Sequence, residues 1–190
     1  MSPLEVAATV LTVIATLLSV RRSLWLYPVG IVATALYFGV FATARLYSSA
    51  GLQVFFVLVQ VYGWWYWLKG DHGQPPKVTR WGLVRTLAVT AIVVAASMGA
   101  GFLIGRATNA ASAVADATIT GLSVLAQFLL DRKKLENWVV WAAVDALAAL
   151  TYFGQGLHLT GALYLFLLGV VVWGWIEWRT AVTAHAAPIP

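Results

Sequence analysis

The chain has no cysteine, so disulfides, thiolate nucleophiles and cysteine-ligated metals are excluded at once. Its three histidines, His72, His158 and His185, stand apart, and none has the spacing of a metal-ligand set. Charge is scarce too: only 10% of the residues are Asp, Glu, Lys or Arg, whereas a soluble domain carries about a quarter. The remainder is 61% hydrophobic with ten tryptophans in 190 residues, and mean hydropathy reaches +0.83. A chain of this kind reads as an all-α polytopic membrane protein, and its net charge of +5 reads as membrane topology, with no nucleic-acid partner implied.

Seven apolar runs, at 4–20, 24–44, 51–68, 82–105, 110–130, 137–157 and 159–178, approach the roughly 20 residues that cross a hydrocarbon core about 30 Å thick. They are too long and too uniformly apolar for the alternating strands of a membrane barrel, so helices are expected. The first run lacks a basic stretch before it and a small-residue site after it, so no cleavable signal peptide is expected. The polar, proline-containing tail 180–190 is expected to be disordered. Ten of the twelve Lys and Arg fall on one side of the spans, leaving Arg45 and Arg106 opposite. Cationic loops stay in the cytoplasm, which places the N-terminus outside and the C-terminus inside. The longest polar connection, Lys69 to Arg80, reads as a flexible cytoplasmic linker.

Internal similarity organises these spans. Thr12 to Arg22 matches Ser123 to Lys133 at a shift of 111, and Gly63, Trp64 and Trp67 match Gly174, Trp175 and Trp178 at the same shift. Tyr37-Phe38-Gly39 matches Tyr152-Phe153-Gly154 at 115. The expected organisation is therefore a first triple-helix repeat with its loop at 1–81, a linker helix at 82–109 and a second triple-helix repeat at 110–179. An even number of crossings separates the repeats, so they run parallel. Parallel repeats are a transporter feature, with the substrate site near the membrane midplane.

The stretch Glu136 to Asp145, ENWVVWAAVD, then draws the eye, because it sets a carboxylate inside an apolar run. Helical spacing puts Trp138, Trp141 and Asp145 on one face. Two indoles beside an acid suit a flat organic cation through stacking, cation–π attraction and charge neutralisation. A hydrogen bond from Asp145 to a neighbouring helix is the plainer alternative. At an intermediate shift of 113, Trp141 and Asp145 correspond to Pro28 and Val32, so the second repeat is expected to supply the charge, while Pro28 kinks or starts the second helix. Asp116, Thr120, Ser123 and Gln127 form a polar stripe on the fifth span, with Asp116 placed about three turns from the outer end. Gln53 and Gln60 share a face with Phe56, Trp64 and Trp67 on the third. Most of Trp64, Trp65, Trp67, Trp173, Trp175 and Trp178 are expected in an interfacial aromatic belt, and Gly63, Gly169 and Gly174 at close helix contacts.

The runs LQVFFVLVQVYGWWYW (Leu52 to Trp67), AQFLLDRKKLENWVVWAAVD (Ala126 to Asp145) and LYLFLLGVVVWGWIEW (Leu163 to Trp178) resemble the PnuC nicotinamide riboside transporters, the pattern W-x-x-W-x-x-x-D most specifically. The resemblance spans nearly the whole chain. It implies a SWEET-like 3+1+3 fold, a homotrimer in the lipid bilayer, and facilitated diffusion of a vitamin precursor that a cytoplasmic kinase traps by phosphorylation. It also implies that Trp138, Trp141, Asp145, Gln53, Gln60 and Gln127 bind the substrate, and Tyr37, Tyr152, Ser123, Thr120 and Asp116 complete the candidate set. No cofactor and no metal are expected. Nicotinamide riboside joins a pyridinium to a neutral ribose and fits these groups. Thiamine, another flat cation, and neutral riboflavin are the alternative cargoes within such a family.

Other classes fare worse. A retinal protein needs a lysine in its seventh helix, and 159–178 has none. An intramembrane enzyme needs an activated nucleophile or an acid–base pair, and Asp116 and Asp145 are the candidate acids without a matching histidine. A membrane scaffold stays open and is separated from a transporter by uptake into liposomes.

Overall fold

In the computed structural model the described residues are 3–43, 47–69, 77–108, 112–154 and 158–186. Seven helices lie among them: α1 Pro3–Val20, α2 Leu26–Thr43, α3 Tyr47–Lys69, α4 Leu83–Thr108, α5 Ala113–Asp131, α6 Asn137–Gly154 and α7 His158–Ala186. Each of the seven apolar runs has become one helix. Leu83–Ala107, Ala113–Asp131 and Gly161–Val182 are long and apolar enough to cross a membrane, and Val6–Val20, Leu26–Gly39 and Asn137–Thr151 are shorter apolar helices. Two compact units are present, Met1–Lys77 with α1 to α3 and Val78–Pro190 with α4 to α7. In the first, α2 packs on both α1 and α3; in the second, α6 packs on both α5 and α7, and α4 packs on α5.

The turns that enter α2 and α6 are built alike. Arg22 (φ 55°) and Lys133 (φ 47°) are left-handed, a conformation that costs a side-chain-bearing residue about 1–2 kcal/mol. The following amides, of Ser23 and Lys134, reach back to the Leu18 and Leu129 carbonyls at 3.0 and 2.8 Å. Arg22 and Lys133 themselves donate to the Ser19 and Leu130 carbonyls at 3.0 and 2.9 Å. Both turns are thus Schellman closures of the preceding helix. A cation stands where glycine is common, and it suits the negative end of the preceding helix.

The likeness continues into side-chain packing. Tyr27 at the start of α2 meets Trp67 near the end of α3 edge-on, with centroids 5.4 Å apart and planes at 84°. Trp138 at the start of α6 meets Trp178 in α7 in the same way, at 5.5 Å and 90°. A shift of 111 relates all four residues. It corrects the shift of 113 read from sequence at this point, so Trp141 corresponds to Gly30 and Asp145 to Thr34.

Other expectations also change. The helix α7 runs on through 180–186, where a disordered tail is expected from composition; Ala181 to Ala186 contains no helix breaker, and Thr180 Oγ1 caps back onto the Glu177 carbonyl at 2.7 Å. Trp67 and Trp178 are core rings at 5% and 0% exposure, not belt residues, whereas Trp65 and Trp173 are exposed. Gly169 has open space where a side chain would stand, while a Cβ on Gly174 would run into the Trp138 indole at 2.6 Å. Pro28 lies in the first turn of α2, which tolerates proline because its missing N–H is not needed there. Residues 70–76 of the expected linker lie outside the described set.

Candidate functional site

The second unit presents the carboxylate. Asp145 lies mid-way along α6 and is 3% exposed, and among the described residues no side chain or backbone group hydrogen-bonds to it. Trp141, one turn earlier, is half-buried and packs on a core of Leu122, Leu125, Ala126, Leu129, Val140 and Val144. Trp138 is closed in by α7: it is 2% exposed, its ring lies against Gly174 and edge-on to Trp178, and its indole N–H has no partner among the described residues. The face expected from sequence therefore divides. Trp141 and Asp145 share a helix face one turn apart, and Trp138 serves the α6–α7 joint in this conformation.

On α5 the polar stripe lies beside the buried face rather than in it. Gln127 is half-buried and donates to Asp131 Oδ1 at 3.0 Å, Ser123 returns its hydroxyl to the Ile119 carbonyl at 2.8 Å, and Thr120 is half-buried. Asp116 sits in the first turn of α5 and is exposed, which corrects its placement deep in the span. Even the start of the apolar run at 110 lies within about two turns of Asp116, the helix itself starts at Ala113, and an acid in that turn meets the positive helix end.

In the first unit Gln60 is 9% exposed and donates to Thr34 Oγ1 at 2.9 Å and to the Phe56 carbonyl at 3.3 Å. Its amide lies directly over Gly30, where a Cβ would collide with Gln60 Oε1. Tyr37 and Thr9 share a hydrogen bond of 2.9 Å between hydroxyls. Gln53 lines a shallow, open depression with Ala35, Phe38, Val54 and Val57. The side chain of Tyr152 lies outside the described residues.

Three residues that sequence reasoning passed over matter here. Thr34 completes the Gln60 pair, and its signal is the shift of 111 from Asp145. Asp131, fully buried, accepts from Gln127 one turn away, a spacing legible in the sequence. Glu136, 5% exposed, accepts two backbone amides from residues 54 and 55 positions away, and no local pattern announces that.

A family model described as nicotinamide mononucleotide transporter matches residues 2–180. The chain belongs to that family. The riboflavin/roseoflavin transporter RibM of Streptomyces davaonensis is 29% identical over 97% of this chain and 88% of its own length. The nicotinamide riboside transporter PnuC of Escherichia coli is 22% identical over 80% of this chain and 74% of its own. A crystal structure of the vitamin B3 transporter PnuC superposes with a TM-score of 0.73 at 23% identity, covering 96% of this chain and 83% of that one; this likeness speaks for the helical membrane-transporter fold. The relatives are membrane transporters for small vitamin-like molecules, not enzymes, and family membership supports the same general role for this chain.

Proposed function

We propose that this member of the nicotinamide mononucleotide transporter family takes up nicotinamide riboside by facilitated diffusion. The observation that carries the reading is the Asp145 carboxylate, buried on α6 without a partner among the described residues, one turn from the half-buried Trp141. An unpaired buried charge costs several kcal/mol, and a cationic, flat cargo relieves that cost while stacking on the indole. A phosphorylated cargo would meet this acid in spans without a central Lys or Arg, so the nucleoside is favoured over the nucleotide, and a cytoplasmic kinase would trap it by phosphorylation.

The wider frame of the proposal is a SWEET-like arrangement of two parallel triple-helix repeats, 1–81 and 110–179, joined by a linker helix at 82–109. The matching turns and edge-on ring pairs 111 residues apart support it. The N-terminus lies outside and the C-terminus in the cytoplasm of the bacterial inner membrane, on the ten-to-two distribution of Lys and Arg. The working assembly is a homotrimer.

Riboflavin is the second reading, and the RibM relative, at 29% identity over nearly the whole chain, favours it. Thiamine remains a cationic competitor. Titration of the purified protein with nicotinamide riboside, thiamine and riboflavin separates them. Tightest binding of nicotinamide riboside is expected; tightest binding of riboflavin replaces the first reading with the second.

A further inference from the structure

The segment that enters α4 is strapped to the turn that enters α6. Thr79 and Lys134 form a parallel bridge, in which the Thr79 amide donates to the Lys133 carbonyl at 3.0 Å and the Leu135 amide to the Thr79 carbonyl at 2.9 Å. Lys134 Nζ adds a bond to Thr79 Oγ1 at 2.8 Å. Glu136 then takes two further amides: Oε2 accepts from Trp81 at 2.8 Å and Oε1 from Gly82 at 3.0 Å. Amides at the entry to a helix have no partner within it, and a carboxylate there also meets the positive end of the helix. Gly82 takes a left-handed φ of +95°, which glycine adopts without a side-chain penalty and which turns the chain into α4 directly after the two clamped amides. The clamp is shielded, since Glu136 is 5% exposed, and charge-assisted bonds of this kind are the strong ones.

The strap is not a general feature of these turns. At the first-unit position 111 residues before Glu136 stands Trp25, which is 71% exposed. Along its length α4 packs on α5, with Val89, Val93 and Val94 against the α5–α6 core, and the strap adds a polar tie at its entry. The Trp81 side chain packs on the α5–α6 core beside the clamp.

In transporters built from repeats, access alternates largely by one repeat rocking against the other. A linker helix must then travel with one of them. We propose that Glu136 is a positioning residue for transport: by clamping Trp81 and Gly82 it makes α4 move as one body with the second triple-helix unit, whose α6 carries Trp141 and Asp145. The inference rests on the 3+1+3 reading given above. The strap stays closed through the transport cycle, and losing it slows translocation without changing the cargo contacts.

Glu136→Gln keeps the shape of the side chain and leaves one carbonyl acceptor for two amides. In proteoliposomes its maximal uptake rate, per folded protein, is expected to fall by about fivefold or more, while the cargo Kd stays within about twofold. A role confined to folding would lower the folded yield and leave the rate per folded molecule unchanged. The native chain has no cysteine, so Thr79→Cys with Lys134→Cys introduces a lone thiol pair across the bridge. In the Glu136→Gln background, oxidation of that pair is expected to restore at least about half of the parent rate, and reduction to abolish the gain. A parent-like rate for Glu136→Gln, a parallel loss of affinity and rate, a pair that does not oxidise, or an oxidised pair that fails to restore uptake each overturns the proposal. Whichever of nicotinamide riboside, thiamine or riboflavin the parent carries serves as cargo, so a wrong cargo appears in the parent and a wrong strap only in the variants.

Discussion

Gln60 donates its side-chain amide to the Thr34 hydroxyl at 2.9 Å, and Thr34 stands 111 residues before Asp145. The first unit thus holds a satisfied, neutral pair where the second holds a buried acid. The residue 111 after Gln60 is Val171, which is buried and has no polar side chain to offer Asp145. At these two positions the units exchange a neutral polar pair for an acid facing no polar counterpart, which leaves the carboxylate of α6 available to a ligand.

Asp145→Asn is expected to weaken binding of a cationic cargo by about tenfold or more, about 1.4 kcal/mol, with little change in the thermal midpoint of the purified protein. Riboflavin, being neutral, is expected to bind the variant and the parent alike. Cargo titration checks both; cationic-cargo affinity within about twofold of the parent would remove Asp145 as counter-ion.

The two tryptophans of the W-x-x-W pattern should fail differently. Trp138→Ala opens a cavity against Gly174 and Trp178, and losing a buried tryptophan costs about 3–5 kcal/mol. Its thermal midpoint should drop clearly. Trp141→Ala, at a half-buried position, should instead keep more of the stability and lose most of the uptake. The reverse order, in melting curves and uptake measured side by side, would count against this division of labour.

Gly30→Ala places a methyl group where the Gln60 amide now lies. The amide must then leave Thr34, and a buried polar group without its partner costs about 1–3 kcal/mol. Uptake is expected to fall, and Gln60→Ala in the same background should cause little further loss. Fully additive effects of the two substitutions would show that Gly30 acts independently of Gln60.

Transport is expected to run down the cargo gradient without proton or sodium coupling. Proton relays are usually chains of intramembrane ionisable groups, and the exposed Asp116 in the first turn of α5 is poorly placed to extend one from Asp145. Net uptake with an imposed pH or sodium gradient and a clamped potential checks this. Accumulation of unmodified cargo above its external concentration would mean that an ion is coupled.

By itself the sequence determined the class of protein, the number of helices, the basic turns and the helix carrying Trp141 and Asp145. These are properties of local composition: an apolar run near membrane length folds as a helix because no water is present to take its backbone hydrogen bonds. Tertiary structure decided what one position cannot know about another. It set the repeat register at 111 through the paired turns and edge-on rings, and it turned Trp138 into the α7 joint. It also gave Thr34 its amide partner and gave Glu136 two amides more than fifty residues away. Such partners are fixed by the packing of one helix on another and by where a turn points its N–H groups, and those distances exist only once the chain has folded.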